Sequence, residues 1–125
     1  MEKLENRYVI IYDLKQKSFS YNIKFKQHDI NTSVLEVHFE NNSETVDITG
    51  ETFEFRFLKP GNIIISQNSS TGVTIKDNIN GIVECILCSD TLDTSGILLC
   101  DIRRTISNRI LTTLSFSINV EAIIE

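Results

Sequence analysis

Residues 46–61 read VDITGETFEFRFLKPG: a polar corner, then phenylalanine on alternate positions, then a Pro-Gly stop. Phe53, Phe55 and Phe57 alternate with Glu54 and Arg56, and a period of two sends successive side chains to opposite faces of a strand. One face is then dry, and the other shows Glu54 and Arg56 to water. The pattern recurs in Phe19, Tyr21, Ile23 and Phe25, in Leu35, Val37 and Phe39, and in Leu114, Phe116, Ile118 and Val120. Antiparallel sheets with one solvated face produce this alternation. The expected core is therefore Leu35, Val37, Phe39, Phe53, Phe55, Phe57, Leu114, Phe116, Ile118 and Val120.

Between these segments lie β-branched runs at Val9 to Tyr12, Ile63 to Ile65, Val73 to Ile75, Ile82 to Leu87 and Ile97 to Ile102, which also favour strands. Clusters such as NNSE, DITG, KPGN, DNING, SDTLDTSG and SNR punctuate them. Turn residues are expected at Asp29, Asp47, Gly50, Pro60, Gly61, Gly81 and Gly96. No segment sustains a helical period. The best candidate is SDTLDTSG, where Ser89 or Asp90 could cap a single turn before Gly96 stops it. The fold class expected is all-β: an antiparallel β-sandwich of about eight short strands with Ig-like architecture and at most one short helical turn.

The 125 residues suit one domain, 1–125, with a core from about 7 to 120 and a tail at 121–125. A chain of this size buries roughly two thirds of its unfolded surface. Apolar residues make up 41% and charged residues 23%, which favours neither disorder nor a membrane class. The longest apolar runs fall far short of the ~18 residues that suggest a span. A net charge of −5 with scattered Lys and Arg offers no basic stripe, so neither nucleic acid nor membrane is an expected partner. The start, MEKLENRYVIIYDLK, lacks the basic and apolar regions of a secretory signal. The chain is expected to be made in the cytoplasm and to stay in the cell unless it leaves within an assembly.

The chemical motifs are sparse. An aspartic protease needs Asp, Thr or Ser, and Gly in succession, but Ile48 interrupts DITG and Ser95 stands in the glycine position of LDTSG. Asp47 and Thr49 read as side chains that bond neighbouring amides, with Gly50 left-handed before the Phe strand. Cys85 and Cys88 form a CxxC, yet a strand would point them apart, and no second pair accompanies them. The three cysteines read as small buried hydrophobes. His28 and Asp29 read as a turn, and Glu36, Glu54 and Glu84 as a solvated face. No phosphate-binding loop, HExxH or GxSxG is present, and no enzyme activity, metal or cofactor is expected.

The order of the pieces is more specific than any one of them. Asp29, Asn31 and Ser33 precede VLEVHF; a polar turn leads to VDITG, TFEFRF and KPG. NGIVECIL, a polar segment ending in SG, ILLCDIRR, a turn and LSFSINV follow. This order resembles the N-terminal domain of phage baseplate upper proteins (BppU) over about Tyr21 to Val120. It departs in having Lys59, Pro60 and Gly61 where that family has KPDG, and in YVIIYDLK before the usual first strand, an expected extra edge strand or a segment that pairs with a neighbour.

The resemblance implies a small sandwich that anchors a longer tail protein to a baseplate core, while later segments, not seen before the sequence ends at EAIIE, trimerise and carry the receptor-binding protein. The implied role is structural: a virion tail component that docks to other tail or baseplate proteins, forms a homo-oligomer in the assembly and helps anchor host adsorption. Possible interface residues are Tyr8, Tyr12, Glu54 and Arg56. The alternative is a carbohydrate-binding sandwich at the host surface, which needs exposed aromatics; Tyr8, Tyr12 and Tyr21 are its candidates.

Overall fold

The computed structural model describes residues 4–15, 22–113 and 115–124. Eleven strands follow in chain order: β1 (Asn6–Asp13), β2 (Lys24–Lys26), β3 (Ser33–Asn41), β4 (Glu44–Thr45), β5 (Thr52–Lys59), β6 (Ile63–Gln67), β7 (Val73–Asp77), β8 (Ile82–Ile86), β9 (Gly96–Ile106), β10 (Arg109–Thr112) and β11 (Phe116–Glu121). One sheet has the order β1-β3-β8-β7 with β4 added to β3. The other runs β2-β11-β9-β5-β6, with β10 added to β9. No helix occurs among the described residues. The protein is an all-β sandwich.

Two features correct the expected architecture. Among the described residues the strands number eleven rather than about eight, because the two-residue β4 and four-residue β10 are hairpin returns too short for alternation to reveal. The sheets are also mixed. β1 runs parallel to β3 from Asn6↔Ser33 to Asp13↔Glu40, and β2 runs parallel to β11; the other seven pairings are antiparallel. Hairpins force antiparallel neighbours, but β1 and β2 each pair with a strand they do not adjoin in sequence, so no turn fixes their direction. YVIIYDLK thus supplies an edge strand of the first sheet.

A shared core joins the sheets. Leu35, Val37 and Phe39 of β3 face Phe53, Phe55 and Phe57 of β5 and Phe116, Ile118 and Val120 of β11, all buried. Phe39 and Phe53 stack at 5.4 Å, and Tyr12 meets Phe39 edge-on at 6.1 Å. Leu114, Phe19 and Tyr21 lie outside the described residues.

The corner at 46–50 belongs to this core. Ile48, the residue that breaks the protease signature, is fully buried, and its N–H donates to the Asn78 carbonyl at 2.8 Å. Asp47 Oδ1 accepts from the Thr49 amide at 2.9 Å and its hydroxyl at 2.5 Å. Gly50, at φ 84°, stands third in a turn closed by the Glu51 N–H and the Ile48 carbonyl, a type II position that needs φ > 0. Pro60 and Gly61 occupy the corresponding positions of the β5–β6 turn, closed from Asn62 to Lys59. Gly81 cannot bear a side chain: a Cβ there would lie 2.5 Å from the Val46 carbonyl oxygen.

SDTLDTSG makes a single helix-like turn, but its carbonyl acceptors are Cys88 and Ser89, and Gly96 opens β9 rather than ending the turn. Asp29 closes a turn back to Lys26 after His28 at φ 68°.

Candidate docking surface

Strand parity sets what each sheet shows outward. On β1, Tyr8, Ile10 and Tyr12 turn towards the core, and Tyr8 lies edge-on to Phe25 at 5.3 Å. The tyrosines expected at an interface are therefore half-buried packing groups, and Val9 and Ile11 are the exposed apolar residues of that strand. The sequence reading named Tyr8 and Tyr12 for the interface because both faces of YVIIY are apolar and no local pattern separates them.

The outer face of the first sheet is not a simple solvated row. Glu36 on β3 lies directly across from Glu84 on β8, and Arg7 of β1 reaches both, with 2.7 Å bonds to Glu36 Oε1 and Glu84 Oε2 and a third contact to Glu5 at 2.8 Å. Glu84 is buried, which corrects its reading as a wet-face residue. Bonds from Glu5 and Glu84 hold the Arg7 guanidinium well above the usual arginine range. His38 Nε2, 2.6 Å from Glu36 Oε2, leads the causes that lower the Glu36 carboxyl. Two like charges facing across a ladder would otherwise repel.

Two more charged groups sit on the core side at positions where the alternation calls for apolar residues. Lys59 continues the phenylalanine stripe of β5; it is buried, with Nζ donating to the Asp90 carbonyl at 2.6 Å and to Asp93 Oδ1. That bond lowers the Asp93 carboxyl. Arg104 follows Ile102 on β9; its guanidinium forks onto Glu51 at 2.8 and 3.0 Å and lies 4.8 Å over the Phe39 ring. Each has a partner, as a buried charge requires.

A cleft of about 730 Å³ lies between the start of β5, the 68–70 turn and β7. Its carboxylates are engaged: Glu51 with Arg104, and Glu54 with Arg103 at 3.6 Å. Among the described residues, no three His, Cys, Asp or Glu side chains are grouped to hold a metal, and no helix is long and apolar enough to cross a membrane. Cys85 and Cys100 are buried, and desolvation pushes both thiols up. Cys88 lies beyond the end of β8 and is half-buried, unlike the fully buried group expected.

The outer face of β5 and β9 carries Glu54, Arg56 and Leu58 opposite Arg103, Asp101 and Leu99 in direct register. Arg56 forks onto Asp101 with two 2.9 Å bonds, which raise the guanidinium further. Leu99 is 44% exposed, and Ile64 of β6, beside Leu58, is 65% exposed. Exposed apolar groups beside paired charges suit a protein contact. Of the four interface candidates, Glu54 and Arg56 lie here; the neighbours Leu58, Ile64 and Leu99 escaped the sequence reading because their runs look like core.

The family model for the BppU N-terminal domain matches residues 6–125. Ten chains among solved structures are similar. One of them is the N-terminal domain of phage TP901-1 ORF48, with a TM-score of 0.73 at 15% identity, covering 92% of this chain and 98% of that one. At that identity the likeness is one of fold. No curated protein matches the chain.

Proposed function

The chain belongs to the BppU N-terminal domain family, and from that premise we propose that it is a structural, non-enzymatic component of a phage or prophage tail baseplate. The observation that carries this reading is the family match over residues 6–125. The domain, one unit over residues 1–125, is made in the bacterial cytoplasm and built into the virion tail. There it docks to neighbouring tail proteins, forms a homo-oligomer and helps anchor the host-adsorption apparatus. Its working parts are surfaces: a rigid sandwich holds side chains in fixed register, and burial against neighbours supplies the binding. The ion-paired state of the cleft carboxylates supports a binding role over catalysis.

Of the aromatics named for the carbohydrate-binding alternative, Tyr8 and Tyr12 pack against the core, and Tyr21 lies outside the described residues. Cryo-electron microscopy of particles with and without the gene tests the proposal. Loss of baseplate density in the deletion is the expected result. A complete baseplate in particles that lack the protein would overturn it.

A further inference from the structure

The charge order on the outer face of β5 and β9 has a symmetry that a random solvated face need not have. Down β5 the outward residues run acidic, basic, apolar: Glu54, Arg56, Leu58. Directly across on β9 they run basic, acidic, apolar: Arg103, Asp101, Leu99. We propose that this face pairs with the same face of a second copy of the chain, about a two-fold axis lying along the strands between β5 and β9. The inference rests on the homo-oligomer of the proposed function and names its surface.

An axis in that direction places each β5 residue over the β9 residue of the other copy at the same height. Glu54 then meets the second copy's Arg103, Arg56 meets Asp101, and Leu58 meets Leu99, and each contact occurs twice. The pairs already formed within one copy, Glu54–Arg103 and Arg56–Asp101, become squares of alternating charge. An axis across the strands at the same height would put Arg56 on Arg56 and Asp101 on Asp101. The charge order therefore selects one isologous arrangement and disfavours the other.

Two variants separate contacts between copies from contacts within one. The first reverses β5, Glu54→Arg with Arg56→Glu; the second reverses β9, Asp101→Arg with Arg103→Glu. Both keep the net charge of −5, and both break the same pairs inside the chain, which are exposed enough for the fold to survive. Sedimentation velocity over a micromolar to millimolar series is the readout. The wild-type chain should show a monomer–dimer equilibrium.

Each variant alone should bind itself about 100-fold more weakly or worse. An equal mixture should return to within about tenfold of wild type, because reversed β5 then faces reversed β9 and native faces native. A wild-type chain that stays monomeric, variants that dimerise normally, or a mixture that stays apart would each overturn the pairing. None of these results touches the baseplate reading, which stands or falls with the deletion particles.

Discussion

Phe55→Ala probes the centre of the sandwich. Phe55 is fully buried, held in register between Gln67 of β6 and Ile102 of β9, with Phe53 and Phe57 on the same face. A buried phenylalanine removes about 150–250 Å² from water, worth about 4–6 kcal/mol at ~25 cal/mol per Å². Alanine keeps the Cβ, so the transfer loss is about 3 kcal/mol, and incomplete collapse of the cavity raises the cost to about 3–5 kcal/mol. Against a total stability of about 5–15 kcal/mol, that shifts Tm down by roughly 10–20 °C. Urea denaturation followed by far-UV circular dichroism, with the m-value checked against wild type, measures it. A loss below about 1 kcal/mol at unchanged m would refute the placement of this stripe in the core. Asp47→Asn is the control: Asp47 is exposed and, among the described residues, bonds only its near neighbour Thr49, so the variant should fold with a Tm close to wild type.

Acid should destabilise the fold in a defined window. The Lys15, Ser43 and Asn42 amides hold the Asp13 carboxyl below its ordinary 3.8, and bonds from Thr49, Asn80 and Lys59 lower Asp47, Asp77 and Asp93. Groups depressed on folding contribute in full above their unfolded values and lose that contribution as pH falls through the folded ones. Urea midpoints should therefore be flat in these groups through neutral pH and fall below the ordinary carboxylate range, and Asp13→Asn should make that fall shallower. A midpoint that rises on acidification would contradict the sign. Thiol titration at neutral pH with a charged disulfide reagent should find only Cys88 in the native protein and all three cysteines after unfolding; rapid reaction of all three in the native state would show that Cys85 and Cys100 are not sealed in.

Alternation reads burial well where a strand has one wet face. Phe53, Phe55 and Phe57 lie on the core side for that reason. It misleads where a charge is buried with its partner: Lys59 and Arg104 occupy core-side positions because Asp93 with the Asp90 carbonyl, and Glu51, meet them from distant segments. No local pattern announces such a meeting. Glu84 is similar, since Arg7, which covers it, lies 77 residues away in the chain. Strand direction was hidden for β1 and β2 because neither pairs through a turn. The docking face was half legible: Glu54 and Arg56 stand out on an alternating strand, while Leu58 and Leu99 sit in apolar runs whose outward members look like core.

The parallel seat of β2 on β11 has a consequence for how the protein is made. Lys24 registers with Asn119 and Phe25 with Val120, so a strand synthesised early finds its neighbour only after the intervening strands have emerged. Pairings this distant in sequence slow folding, since the loop must close before the contact stabilises anything. On the ribosome β3, β5 and β9 can associate first, with Phe25 waiting in water until β11 arrives. β11 therefore completes the second sheet at the edge where β2 has been waiting.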